Sequence, residues 1–194
     1  MGLNETLKQF EDSELVMSLS QKITAVAKEL GDIRLMHVCG THEHEIVQYG
    51  LRQLLPKSVQ IIPGPGCPVC ICPVELIDQA ITLSYQPGIT VLTFGDMLRV
   101  PATRESLDGA RKNGGSVQMV YGPLDAIKIA RKRPDEKFVF FSIGFETTAA
   151  GTAGMIQKGV PENLFFLIAN RYIPPVFNLL MTVHNKNSLQ GFLL

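Results

Sequence analysis

The sequence has no excess of charge of either sign: Lys plus Arg and Asp plus Glu each number 18. A neutral chain has no electrostatic bias toward nucleic acid or anionic lipid, so proteins and small molecules are the expected partners. No apolar run approaches the roughly 18 residues that a membrane helix needs. The polar, mixed-charge stretch from Met1 to Asp12 lacks the apolar core of a signal peptide. Together these absences predict a cytoplasmic protein. In that reducing compartment, cysteines serve catalysis or metals more often than a disulfide framework. Several motifs are missing too. There is no complete G-x-G-x-x-G after a strand, no G-x-x-x-x-G-K-[ST] and no G-x-S-x-G, so no dinucleotide, nucleoside triphosphate or serine-hydrolase chemistry is indicated. Neither a solenoid repeat nor a low-complexity tract is present.

What is there suffices for a folded core, with 45% hydrophobic and 19% charged residues. A first helix is expected with Ser13 as its cap, Leu15, Val16, Leu19, Ile23, Val26, Ala27 and Leu30 as its apolar face, and Gly31 as its stop. Short apolar runs then alternate with helical patterns. The runs are Ile33 to Val38, Val59 to Ile62, Ile89 to Phe94, Val117 to Tyr121, Phe138 to Ile143 and Leu164 to Ala169. The helical patterns include Ile46, Val47, Leu51, Leu54 and Leu55, and later Pro73 to Tyr85. This alternation predicts an α/β protein with Rossmann-like parallel sheets and helices on both faces. The charged stretch Arg131 to Lys137 is a candidate boundary, though a helix end and turn would look the same. The expected organisation is an N-terminal helical segment (1–31), a first α/β domain with the cysteine loops (32–134) and the start of a second, incomplete one (135–194). Gly191 to Leu194 read as the beginning of an apolar strand without neighbours, as in a truncated chain, which would be poorly stable alone. His37 is expected in a strand interior and His184 on a helix surface, and neither is given a role.

Parallel sheets place ligands at the carboxyl ends of their strands, and every unusual motif falls at such an exit. The first is Cys39-Gly40-Thr41-His42-Glu43-His44-Glu45. A cysteine where a helix begins meets free N–H groups and the positive end of the helix dipole, which favour the thiolate. A thiolate binds soft or borderline metals, and His42 can add an imidazole. A buried cysteine beside histidines on a wet helix is the plain alternative. The second loop, Pro63 to Pro73, holds Cys67, Cys70 and Cys72. Its C-x-x-C pair suits thiol–disulfide exchange. A structural zinc site that recruits Cys39, an iron–sulfur cluster and an inert loop stay open. The third loop, Thr93 to Pro101, offers Asp96 and Arg99, to orient a ligand or to pair with each other. In the fourth, Gly144 to Thr148, Glu146 can act as acid, base or supporting partner. For these last two loops an ordinary strand-to-helix turn is the competing reading.

CGTHE at Cys39 to Glu43, GPGCPVC at Gly64 to Cys70, TFGDMLRVP at Thr93 to Pro101 and GFETTA at Gly144 to Ala149 together resemble the HypD family of hydrogenase maturation factors. The resemblance covers roughly the first half of the family's usual length. It implies a scaffold that, with HypC, holds iron while the Fe(CN)2CO group of NiFe hydrogenases is assembled. HypE, charged by HypF, would supply the cyanide, and the NiFe-hydrogenase large subunit would receive the product indirectly. By motif, Cys39 resembles the iron-holding cysteine, with His42 near the iron, and Cys67 and Cys70 resemble the family's redox pair. The family's [4Fe-4S] cluster is expected on cysteines absent here, so this chain is not expected to complete the group by itself. The alternatives from other classes are a general thiol–disulfide oxidoreductase and a zinc-stabilised binding module.

Overall fold

The computed structural model describes residues 12–183 and 189–193; His184 lies outside them. The first helix, α1 (Ser13–Leu30), is capped by Asp12 and not by Ser13. Asp12 Oδ1 accepts from the N–H groups of Glu14 and Leu15 at 3.0 Å each, leaving Ser13 inside the first turn. Gly31, at φ 79°, stops the helix as its sequence position predicts, and its N–H donates to the Ala27 carbonyl. The expected apolar face of α1 is not a buried one. Leu15, Leu19, Ile23, Val26 and Leu30 are exposed and only Ala27 is buried. The helix instead presents small residues, and Ser20 Oγ donates to the Leu54 carbonyl. Periodicity marks an apolar stripe but not what covers it.

Seven strands and six further α-helices follow among the described residues: β1 (Ile33–His37), α2 (Gly40–Gln48), β2 (Val59–Pro63), α3 (Val74–Ser84), β3 (Ile89–Thr93), α4 (Leu107–Lys112), β4 (Val117–Met119), α5 (Pro123–Lys132), β5 (Lys137–Ser142), α6 (Glu146–Gln157), β6 (Leu164–Ile168), α7 (Pro174–Val183) and β7 (Gly191–Leu193). The pattern Ile46 to Leu55 is not one helix. Gly50, at φ 60°, breaks it into α2 and a short 3-10 turn, Leu51–Leu54. All strand pairs are parallel, so the α/β class predicted from the alternation holds.

The chain forms two compact units. One comprises Met1–Cys67 with Val176–Leu194, the other Pro68–Pro175. The division expected at 134/135 falls inside the second unit. There β5 pairs with β3, Ile89 opposite Lys137, in one sheet. Residues 131–137 are a helix end and a turn, tied by Asn163 Nδ2, which donates to the carbonyls of Ala130, Arg133 and Glu136.

In the first unit the sheet order is β2-β1-β7. The apolar segment at 191–193 is therefore paired, contrary to the reading from sequence. Gly191, Phe192 and Leu193 lie opposite Leu35, Met36 and His37, and the Phe192 ring rests 4.8 Å from that of Phe177. A three-residue strand carries too little pattern to reveal a partner about 155 residues earlier in the chain.

The second unit has the order β4-β3-β5-β6, with a core on each face of the sheet. Val91, Val117, Phe141 and Ile143 face α3 and α4 through Ile77, Ala80, Leu107 and Ala110. Their strand neighbours Leu92, Phe138, Phe140 and Leu164 face α5 through Ala126, Ile127 and Ala130. This period-two division explains the near-continuous apolar runs: both faces of a parallel sheet are covered.

Candidate functional site

β1 delivers Cys39 to the N-cap position of α2, with extended backbone at φ −146° and ψ 133°. The half-buried thiol lies where the N–H of His42, and secondarily that of Thr41, favours its anion, and the thiol is held below its ordinary range despite partial burial. The His42 ring stands edge-on to His37, with centroids 6.2 Å apart. The structure thus brings Cys39 and His42, paired in the sequence reading, onto one turn.

His37, Glu43 and Arg52 join this turn. His37, only 2% exposed, ends β1 with Nδ1 3.2 Å from the Cys39 carbonyl and Nε2 2.7 Å from Glu43 Oε2. Arg52 grips Glu43 with both terminal nitrogens, at 2.9 and 2.8 Å. These two partners, Arg52 first, hold the Glu43 carboxyl down at about 2 against an ordinary 4.5. A depressed carboxyl adds stability above its unfolded value and loses it as pH falls toward the folded one. Glu43→Gln is therefore expected to flatten the acid side of the stability profile between 4.5 and about 2. Denaturant midpoints measured across that range check this; a variant whose acid limb keeps the wild-type slope would contradict it. Glu43 belonged to the quoted motif, but nothing in the sequence linked it to Arg52, nine positions on.

The start of the second cysteine loop, Gly64 to Gly66, lies directly on this turn. The N–H of Gly64 donates to the His37 carbonyl at 2.8 Å. A Cβ at Gly64 would stand 2.5 Å from the Met36 side chain and 3.0 Å from the His37 carbonyl oxygen. At Gly66 a Cβ would overlap the Val38 carbonyl and the Cys39 nitrogen. Glycine here permits backbone to rest on backbone, and Cys67 is the next residue. Cys67 is half-buried, and Cys70, in the turn that follows, is exposed. Cys72 packs against the core of the second unit, and burial pushes its thiol up, with Arg171 opposing.

In the second unit, β3 and β5 are adjacent, and the connections leave them in opposite directions along the sheet. Such a reversal opens a crevice at the strands' carboxyl ends. Asp96 and Arg99 follow β3 on a 3-10 turn, Gly95–Arg99, which the buried Met97 anchors. Both are exposed and, among the described residues, they form no ion pair with each other. Glu146 opens α6 after β5, and its Oε1 accepts from the Ile173 N–H at 2.6 Å. Gly144, at φ 152°, and Asn170, whose Nδ2 donates to the Gly144 carbonyl at 3.3 Å, shape that exit. Among the described residues, no group of three or more His, Cys, Asp or Glu side chains is arranged to hold a metal ion. No described helix is long and apolar enough to cross a membrane.

Comparison with known proteins decides the family. Residues 14–194 match the family model described as HypD, hydrogenase formation hypA family. The chain belongs to the HypD family. It is 44% identical over 170 residues to the hydrogenase maturation factor HypD of Azotobacter vinelandii, covering 86% of this chain and 45% of that protein. It is 42% identical over 174 residues to a putative hydrogenase expression/formation protein of Methanocaldococcus jannaschii, covering 88% and 48%. With Escherichia coli HypD the identity is 37% over 193 residues, covering 95% and 52%. The chain spans about half the length of these HypD relatives.

Proposed function

We propose that this chain serves NiFe-hydrogenase maturation as part of a cytoplasmic scaffold that holds iron, as cargo, while the Fe(CN)2CO group is built. One observation supports this most: the seating of Gly66 on Val38 and Cys39 sets the segment entering Cys67 against the turn that bears a thiolate-favouring cysteine. A cargo thiolate and a redox thiol segment on adjoining loops suit a metal centre whose assembly consumes reducing equivalents. In this reading Cys39 is the soft donor, and His42 stands beside it. The remaining protein ligand, in this reading, comes from HypC. Cys67 and Cys70 act as the dithiol: their oxidation to a disulfide releases two electrons and two protons. Asp96, Arg99 and Glu146 flank the strand reversal of the second unit and are assigned to ligand binding there, Glu146 through the oxygen that Ile173 does not engage. HypE delivers cyanide in a transient complex, and the hydrogenase large subunit receives the product.

In this reading the family's [4Fe-4S] cluster, which takes four thiolates, is carried by cysteines other than the four here.

The reading is tested by complementation in a strain lacking HypD. This chain, co-expressed with the second half of the A. vinelandii relative, is expected to restore hydrogenase activity. Cys39→Ala should abolish the rescue, and His42→Ala should weaken it less, since water can take the place of an imidazole more readily than of the thiolate. Rescue by the Cys39→Ala chain would remove Cys39 from the account. Stoichiometric zinc on the purified chain, lost with the cysteines, would favour the zinc-stabilised module instead.

A further inference from the structure

Arg52 does more than pair with Glu43. While its two terminal nitrogens take both carboxylate oxygens, its Nε donates to the Ile61 carbonyl in β2 at 3.2 Å. Glu43 passes the constraint to His37, and the buried His37 ring passes it to the Cys39 carbonyl. β2 in turn runs into Gly64, whose N–H is tied to the His37 carbonyl. An unbroken series of polar contacts therefore joins the strand feeding one cysteine loop to the turn carrying the other. Each link is directional. A guanidinium fork fixes the carboxylate plane, which an ammonium cannot do, and a fixed carboxylate in turn orients the buried imidazole.

We propose that Arg52, Glu43 and His37 form a brace that positions Cys39 and the segment entering Cys67, with Arg52 and Glu43 as positioning residues that do not touch the cargo. The inference rests on the reading of Cys39 as the cargo thiol, but its test needs no iron. If Cys39 proves not to hold iron, that failure appears in metal content, while failure of the brace appears in thiol reactivity.

The test is alkylation of the purified chain by iodoacetamide at neutral pH, well below the melting temperature, followed cysteine by cysteine by mass spectrometry. Glu43→Ala keeps a good helix former in α2, and Arg52→Lys keeps the charge without the fork. In both, Cys39 is expected to react about fivefold more slowly or worse, because the N–H groups of His42 and Thr41 are no longer held toward its sulfur. Cys72, which packs in the other unit, serves as internal control and should keep its wild-type rate. Circular dichroism confirms the fold of each variant. An unchanged or faster Cys39 rate in both folded variants overturns the proposal, and so does a change at Cys72 as large as that at Cys39, since that would mark a general loosening.

Discussion

Gly66→Ala is expected to destabilise the protein by about 3 kcal/mol or more, among the larger effects of a single methyl group. The added carbon would coincide with the Val38 carbonyl and the Cys39 nitrogen. Those are backbone atoms, so no side-chain rotation relieves the overlap, and either the loop lifts or β1 shifts. Lifting the loop breaks the bond from the Gly64 N–H to the His37 carbonyl and opens the turn that carries Cys39. Chemical denaturation measures the loss, and Cys39 alkylation should change in the same variant. Gly40→Ala gives the contrast: a Cβ there meets nothing within 4 Å, so it should cost little. Equal stability of the Gly66 and Gly40 variants would show that the loop does not rest on β1 in solution.

The second large effect is an all-or-none change in thiol count. Mild oxidant should remove two thiols together from the wild-type chain, and reductant should restore them. Cys67→Ser or Cys70→Ser should leave no such paired loss, because neither partner can close a disulfide alone. Cys72→Ser should behave as wild type, because that sulfur is turned into the core of the second unit, where burial raises its thiol. Counting with a chromogenic disulfide reagent, with peptide mapping, reads this directly. Paired loss that survives Cys67→Ser but not Cys72→Ser would move the redox pair to Cys70 and Cys72.

The fold was largely legible because its signals are local. Six apolar runs became β1 to β6, within one or two residues at each end. The glycine at 31 stopped a helix because only the left-handed region was needed there. Features set by non-local contacts are not legible in this way. Asp12 and Ser13 are equally good caps by type, and only the entry of the chain decides between them. Residues 131–137 look like a linker until β5 is seen to pair with β3. Residues 191–193 look unpartnered until the chain returns to β1.

The candidate site divides in the same way. Cys39 and His42 share one turn and could be read together, and strand exits marked every loop in advance. His37 is not legible in this way, because a histidine in an apolar strand carries no sign of what its ring will meet. Arg52 is hidden too, because it sits on a 3-10 turn of no evident pattern, and its partners Glu43 and Ile61 lie nine residues away on either side. The weight of Gly66 was hidden too: composition shows a stiff Gly/Pro loop, but the strand it rests on is a tertiary fact.

The central claim, that Cys39 is the thiol through which this chain holds iron, is tested most directly by the metal content of its complex with HypC, purified without oxygen. About one iron per complex is expected with the wild-type chain, and background iron with Cys39→Ala, while HypC still co-purifies and the fold is kept. Infrared bands of bound cyanide and carbonyl on that iron would identify it as the maturation cargo. Iron retained at the wild-type level by the Cys39→Ala complex would contradict the account.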